Sequence, residues 1–268
     1  MLEALVESAF EYTYPLFAVA QTRYRAVQDP GNPNRHAPNT VKHERQLSDH
    51  TSRWITAPNN DTLYSNAWLD LSCGPVGIRV STQPSGRYWS LAFMDAFTNH
   101  FAMIGQRRDG SVPVDVTLVG PGQQDTELPG RIVRAPGNDV WLISRWLVDG
   151  TDDLSNSHAM QNGLEVLPPS GASYCARVAT DQSTDPRNFL AVVNESLARN
   201  RPPASEASLV EGWAAVGLCP GAVDAWQGIS EDAQQVWTAQ MGALHDNCDG
   251  LGPVGGGKFR AGWPLQQT

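Results

Sequence analysis

Basic residues are scarce in this sequence of 268 residues. Lys and Arg total 19 against 28 Asp and Glu, which gives a formal net charge of -9 at pH 7 with His neutral. The longest basic run is the pair Arg107-Arg108. Surfaces that bind nucleic acid need clustered positive charge, so we expect no nucleic-acid partner.

Long hydrophobic runs are also missing. No stretch approaches the about 18 apolar residues of a transmembrane helix. The first residues include Glu3 and Glu7, whereas a secretory signal peptide begins with basic residues. The sequence therefore predicts a cytoplasmic protein that has no membrane partner.

Cysteine and the common cofactor motifs are equally sparse. The four cysteines, Cys73, Cys175, Cys219 and Cys248, lie far apart and form no CxxC pair, which argues against a zinc cluster and a disulfide framework. The motifs GxGxxG, GxxxxGK[ST] and GxSxG do not occur. We therefore expect neither a nucleotide cofactor nor a serine-hydrolase scaffold.

The residue patterns predict a helix, then a series of strands, then further helices. The chain length suits one large domain, or one domain with a smaller companion. Residues 2–28 show helical periodicity, with Pro15 predicted to kink or divide the helix, and residues 29–39 read as a long loop. Short β-rich runs follow without helices between them, and eight strands are predicted: 52–57, 67–71, 76–80, 88–94, 100–104, 114–119, 131–134 and 139–147.

Helical patterns return after residue 149, at 152–167, 185–200, 205–216 and 230–248, with Ser205 and Ser230 as predicted N-caps. The fold class predicted is mainly β with helical additions: an antiparallel, jelly-roll-like β-sandwich with an N-terminal helix and a C-terminal helical subdomain. The corresponding domains are 1–50 (helix and loop packing on the sandwich), 51–150 (sandwich), 151–254 (helical subdomain) and 255–268 (tail).

The most polar segment runs from Pro58 to Asn66, before a predicted strand. Asn60 and Asp61 in this segment either present an acid and an amide to a cavity or form a turn closed by their own side chains. Both interpretations remain open at this point.

Histidines and acids cluster just upstream, at His43, Glu44, Asp49 and His50. The HExxH spacing of zinc hydrolases is missing, which argues against a mononuclear zinc site. His50 suits general acid–base catalysis because the unperturbed pKa of histidine lies near neutral pH. The simpler alternative for each histidine is a surface or packing role.

Two arginines lie in or beside predicted strands. The strand that contains Arg87 and Trp89 has mixed polarity on both faces, which suggests that one face lines a polar pocket. Arg145 lies within the apolar run 140–147 and needs an acid or a bound anion if it is buried. A structural ion pair with Asp61, Asp70 or Asp95 is favoured over an anion site.

Several short motifs, in a fixed order, resemble one known family. They are Tyr14-Pro15-Leu16, Pro58 to Ser65, Ala67 to Ser72, Gly74-Pro75-Val76, Arg87-Tyr88-Trp89, Asp95 to Thr98, Ile104-Gly105, Gly120-Pro121, Trp141 to Arg145 and Asp153-Leu154. This combination resembles the family named domain of unknown function 1254. The resemblance implies a jelly-roll-like sandwich with helical additions. It does not indicate which activity the protein has.

Members of that family usually continue through a helical connector and a Gly-Trp pair into a second β domain. Here a connector is present at 185–248, and Gly262-Trp263 is followed by five more residues. The resemblance therefore implies a single-domain member that lacks the usual second C-terminal β domain.

The polar residues suggest a small-molecule enzyme that uses general acid–base chemistry and acts on an apolar or ring-containing substrate by hydrolysis, elimination or cyclisation. Asp61 is the expected base, and Tyr64 or His50 is the expected acid. Arg87 or Arg145 would hold developing negative charge. The remaining candidates are Asp95 and His100 for catalysis, and Asn60, Trp68, Trp89 and Trp141 for binding.

The alternative is a non-catalytic module that binds a hydrophobic or sugar-like ligand, or that contributes a surface to an assembly such as a homo-oligomer. Exposure of Asp61 and Asp95 away from any cavity would favour this alternative. No cofactor is expected, although a divalent metal held by Asp61, Asp95, His43 and His50 is a further alternative, because oxygen-rich sites need no fixed spacing.

Overall fold

A long N-terminal helix opens the fold. The computed structural model describes residues 1–49, 59–171, 184–222 and 224–249, and the helix α1 spans Leu2–Val27. It continues through Pro15 without a break. The backbone hydrogen bond that proline removes is offset by burial of the next two side chains, since Leu16 and Phe17 are each 1% exposed.

Two sheets follow, and their strands account for most of the sequence prediction. The first sheet has the order β1-β2-β8-β4-β5 and the second has the order β7-β6-β3-β9. The strands are β1 Lys42–His43, β2 Thr62–Asp70, β3 Val76–Val80, β4 Trp89–Met94, β5 His100–Gly105, β6 Val114–Val119, β7 Arg131–Arg134, β8 Asp139–Leu147 and β9 Leu164–Leu167. All pairs are antiparallel except β6 with β7.

The two sheets enclose a shared apolar core. Leu63, Leu142 and Phe93 reach it from the first sheet, and Ile78 and Leu118 reach it from the second. Their strands alternate between this core and the opposite face, as the two-residue period of a strand requires. The expected fold class, mainly β with helical additions, is confirmed.

A short helix, α2 Gln106–Asp109, lies between β5 and β6. The other helices follow β8: α3 Leu154–Asn162, α4 Pro186–Arg199, α5 Ala207–Glu211, α6 Ala225–Gly228 and α7 Glu231–Asp249. α1, α4 and α7 enclose a second apolar core that includes Phe10, Phe189 and Trp237. The expected cap at Ser230 is confirmed, because its Oγ accepts the N–H of Ala233 at 3.2 Å.

Two predictions of secondary structure need correction. The predicted helix 152–167 ends at Asn162, and the following residues form β9, whose Leu164 packs in the sandwich core. The predicted helix 205–216 is divided into α5 and two 3-10 turns, and no cap from Ser205 forms. Gly217 ends this segment with a φ of 94°, which favours glycine. The predicted strand 52–57 lies outside the described residues.

A buried ion cluster joins the helices to the first sheet. Asp139 contacts Arg23 of α1 at 2.8 Å and Arg199 of α4 at 2.6 Å, and Arg199 also contacts Asp70 at 2.8 Å. Asn200 donates to Asp139 at 2.7 Å. Burial alone would raise the pKa of Asp139, but the two guanidinium groups lower it well below the usual range.

None of the helices in the described ranges has both the length and the apolar character that a bilayer crossing requires.

Candidate functional site

The longest strand pairing in the protein forms the floor of the candidate site. β2 and β8 pair over nine residue positions, which places Tyr64 opposite Arg145 and Trp68 opposite Trp141. Leu63 and Leu142 on these strands enter the sandwich core. Because side chains alternate along a strand, Tyr64, Trp68, Trp141 and Arg145 share the other face.

A cavity of about 510 Å³ lies over that face. Its floor is made by the outward residues of β2 and β8, and its walls come from the end of α1, the loop after α1 and the segment around β1. The lining residues are Thr22, Arg25, Ala26, Asn32, Asn34, His36, Lys42, Glu44, Tyr64, Asn66, Trp68, Trp141, Ile143 and Arg145. We call this the outer-face cavity.

Backbone and side-chain bonds fold the loop back onto the helix. Asn32 donates from Nδ2 to the carbonyl of Arg25 at 2.7 Å, and the His36 N–H donates to the carbonyl of Ala26 at 3.0 Å. These bonds use carbonyls at the end of α1 that have no partner within the helix. The loop, expected from its composition, thereby becomes a wall of the outer-face cavity.

Two indoles form the aromatic part of the floor. The rings of Trp68 and Trp141 stack with centroids 4.7 Å apart and an angle of 14° between their planes. Val19 and Val27 of α1 are buried in the same cluster, and Ala26 packs against it. Trp68 is 3% exposed, so the part-buried Trp141 presents most of the apolar ring surface of this pair to the outer-face cavity. Such a surface suits the body of a ring-containing ligand.

Arg145 lies at the other end of the floor, half-buried, and its Cζ is 5.4 Å from the centroid of the Tyr64 ring. No carboxylate among the described residues lies within ion-pair distance of it. The strand register explains this, since its cross-strand neighbours are Tyr64 and Ser90.

The expected ion pair of Arg145 is therefore not found. Of its three predicted partners, Asp70 contacts Arg199, and Asp95 accepts hydrogen bonds from the backbone N–H groups of Phe97 and Asn99. Asp61 is exposed at the start of β2.

Positive charge predominates in the outer-face cavity, although the chain as a whole is acidic. Arg25, Lys42 and Arg145 line it together with one acid, Glu44, which contacts Lys42 at 2.9 Å. Burial, and then the charge of Lys42, lower the pKa of His36, so its imidazole is neutral at neutral pH. Both ring nitrogens of His36 are enclosed and have no hydrogen-bond partner in the described part of the chain.

Two predicted binding residues lie elsewhere and have structural partners. Arg87 donates to Asp153 Oδ1 at 2.9 Å and to the carbonyl of Leu147 at 2.8 Å, which satisfies its charge without a ligand. Trp89 is fully buried in the sandwich core and stacks with Trp146 at 6.2 Å. Neither residue lines the outer-face cavity, so the expected gathering of both arginines at one mouth is wrong.

The turn before β2 does not reach the outer-face cavity either. Asn60 and Asp61 are exposed, and the Asp61 N–H donates to Asn59 Oδ1 at 3.1 Å. This bond is the local turn that the sequence offered as the simpler interpretation. The exposed position of Asp61, away from the residues that line the outer-face cavity, does not support its predicted role as catalytic base.

The other predicted catalytic and metal-binding residues are also dispersed. Asp95 lines a separate cavity of about 670 Å³ with Tyr12 and Glu206, and His100 is exposed on the edge strand β5. His43 contacts Ser65 Oγ through Nδ1 at 2.7 Å, and burial and then Arg45 lower its pKa to about 4. His50 lies outside the described residues.

No metal-binding group of three His, Cys, Asp or Glu side chains occurs within the described ranges. Asp61, Asp95 and His43 in particular lie on different strands or loops and face different neighbours. Asp61, Asp95 and His43 therefore do not come together as the ligands of one metal ion.

Sequence reasoning found the four principal floor residues and missed most of the walls. Tyr64, Trp68, Trp141 and Arg145 were all predicted site residues. Asn66 and Ile143 could have been found from the same two-residue period. No sequence pattern could place Lys42 or His36 in the cavity. Lys42 lies in β1, which has only two residues, and the position of His36 depends on hydrogen bonds between its loop and α1.

Residues 38–168 match the model of a family described as Protein of unknown function (DUF1254). This part of the chain is similar to the DUF1254 family. The matched region contains the nine strands of the described residues and the floor of the outer-face cavity. Arg25 and His36 precede the matched region. No curated protein matches the sequence.

Two solved structures are similar to this chain to different degrees. VPA0106 from Vibrio parahaemolyticus superimposes with a TM-score of 0.73 at 20% identity, covering 94% of this chain and 60% of the neighbour. A putative uncharacterized protein from Burkholderia cenocepacia gives a TM-score of 0.36 at 15% identity, covering 69% of this chain and 46% of that one. The VPA0106 likeness shows a shared fold, and this chain spans 60% of the length of that protein.

Proposed function

We propose that the outer-face cavity binds a small organic anion that has a flat, apolar ring. The observation that carries the proposal is Arg145, a half-buried guanidinium without a carboxylate partner among the described residues, on the same floor as two stacked indoles. Burial of an unpaired charge is costly, and an anionic ligand would offset that cost.

Comparison with the other arginines supports this interpretation. Four arginines in buried or part-buried positions have an aspartate partner: Arg23, Arg87, Arg131 and Arg199. Arg45 is also part-buried and has no ion pair among the described residues, but its guanidinium donates to the His158 carbonyl and to the side-chain oxygens of Gln161 and Asn162. Arg145 stacks on Tyr64 instead, which leaves the edge of its guanidinium available for hydrogen bonds to a carboxylate. The charge of the cavity also has the right sign, as three cations and one acid line it.

Binding fits this geometry better than acid–base catalysis does. Asp61 is exposed and Asp95 is occupied by its own loop, which removes the expected catalytic base from the outer-face cavity. Acid–base chemistry in this cavity remains a second candidate, because the lowered pKa of His36 gives a neutral imidazole that can accept a proton. The enclosed ring nitrogens would become reachable only after movement of the loop.

The test compares a ring-containing anion with its neutral analogue. We expect isothermal titration calorimetry to show 2-naphthoate binding at least about tenfold more tightly than 2-naphthamide, because a hydrogen bond to a charged group contributes about 1.5–3 kcal/mol. Arg145→Gln should remove this preference. Arg108→Gln is the matched control, since it makes the same charge change at an exposed residue outside the outer-face cavity.

Two outcomes would contradict the proposal. One is the absence of binding of either compound to the unmodified chain. The other is equal affinity for 2-naphthoate in the unmodified chain, Arg145→Gln and Arg108→Gln, which would place the anion elsewhere.

A further inference from the structure

We propose that the ligand of the outer-face cavity is an elongated aromatic dicarboxylate, with one carboxylate at Arg145 and the other at Arg25. This inference rests on the proposed function and specifies its ligand class. It starts from the placement of the two guanidinium groups at opposite ends of one aromatic floor.

The first end is the pair of Arg145 and Tyr64. The second end is the indole pair, which lies four residues further along β2, from Tyr64 to Trp68. At a rise of about 3.3 Å per residue, this separates the two ends by about 13 Å along the strand. A ligand that contacts both ends is therefore elongated.

Arg25 belongs to the indole end. Its neighbour in the sequence, Ala26, packs against the cluster that contains Trp68 and Trp141, and both Arg25 and Ala26 line the outer-face cavity. Arg25 is exposed in the last turn of α1. No carboxylate lies within ion-pair distance of its guanidinium among the described residues.

The middle of the outer-face cavity carries little net charge. Lys42 lies opposite Asn66 in the strand register, and its ammonium group contacts Glu44 at 2.9 Å. Asn66 and Ile143 face each other on the floor between the two ends. Positive charge therefore remains at both ends, with a flat and largely neutral surface between them, which matches a ring that bears two anions.

The test uses two rigid probes that differ by one carboxylate. Calorimetry on the full chain compares 2-naphthoate with 2,6-naphthalenedicarboxylate for the unmodified protein, Arg25→Gln, Arg145→Gln and the control Arg108→Gln. We expect the dicarboxylate to bind about tenfold more tightly than the monocarboxylate, as one further charged hydrogen-bond pair would give.

The two variants separate the two ends of the outer-face cavity. Arg25→Gln should leave the affinity for 2-naphthoate nearly unchanged. The dicarboxylate should then bind this variant only about twofold more tightly than 2-naphthoate, because a symmetric ligand can place either of its two carboxylates at Arg145. Arg145→Gln should weaken both probes, and Arg108→Gln should weaken neither.

Failure of this inference is distinguishable from failure of the proposed function. Equal affinity for both probes, with binding that still depends on Arg145, contradicts the dicarboxylate and leaves the anion site standing. Equal weakening of both probes by Arg25→Gln also contradicts the assignment of one carboxylate to each arginine. Absence of binding of both probes contradicts the anion site itself.

Discussion

At the scale of single residues, two arginines with similar sequence surroundings have different roles. The sequence marked Arg87 because the strand around it has mixed polarity on both faces, and Arg145 because it lies within an apolar run. It could not show that Asp153, 66 positions later, meets Arg87, or that the register places Tyr64 and Ser90 beside Arg145. Contacts between distant segments decide which guanidinium has a partner, and no local pattern records them.

A substitution of Arg87 tests its structural assignment. Arg87→Gln removes the ion pair to Asp153, whose side chain also accepts the N–H of Asp149 at 2.8 Å. We expect a loss of about 2–4 kcal/mol in the free energy of unfolding, because the partner carboxylate stays part-buried and unpaired. Urea denaturation measures the loss. Affinity for 2-naphthoate should stay the same in the folded variant, and a selective loss of affinity with unchanged stability would contradict the assignment.

Asp139 gives a second test, with a definite dependence on pH. Its pKa is lowered in the folded state because of Arg23 and Arg199, so its contribution to stability is present above its unfolded pKa of about 3.9 and is lost as pH falls below that value. We expect Asp139→Asn to destabilise the protein by about 3–5 kcal/mol at pH 7.

The measurement is the difference in unfolding free energy between the two proteins across pH. The difference should be constant from about pH 8 to pH 5 and should shrink as pH falls below about 4. A difference that grows toward acid pH would contradict the ion cluster as the source of the stability.

At the scale of elements, strands that face one core were predictable and elements that depend on distant partners were not. β3, β6, β7 and β8 have the expected bounds, because alternation and flanking turn residues are local. β9 was mistaken for helix, since its strand character depends on pairing with β3. At Gly163, which precedes β9, an added Cβ would lie 2.0 Å from Ser81 Oγ, a close approach that the sequence does not reveal.

The two serines that the sequence marks as helix caps provide an element-scale prediction. Ser230→Ala should destabilise the protein by about 1 kcal/mol, because the hydroxyl that accepts the Ala233 N–H is lost. Ser205→Ala is the matched control and should have almost no effect, since no side-chain cap forms at that turn. Thermal or urea unfolding compares the two, and equal losses would contradict the difference between the caps.

At the scale of the whole molecule, the fold class and the family resemblance were both predictable from the sequence. The outer-face cavity was not, because it exists only where α1 and its loop lie over β2 and β8. The same helix also enters the second core through Phe10 and Phe17, so one element joins the sandwich to the helical part. Long-range packing of this kind has no short sequence pattern.

The shared helix and the ion cluster predict cooperative unfolding. A change in either core, Leu91→Ala in the sandwich or Phe189→Leu among the helices, should shift one common transition. Both side chains are fully buried, so losses of about 2–5 kcal/mol for Leu91→Ala and about 1–2 kcal/mol for Phe189→Leu are expected. Urea unfolding followed by tryptophan fluorescence and by circular dichroism should give coincident curves. Separate transitions for the two probes would contradict this coupling.

The central claim is that the outer-face cavity holds a ring-containing anion, and a crystal structure of the chain with 2-naphthoate tests it most directly. The account predicts density over β2 and β8, with the carboxylate at the Arg145 guanidinium and the ring toward Trp141. Density for the compound only in the separate cavity lined by Tyr12, Asp95 and Glu206, with the floor of β2 and β8 empty, would contradict it.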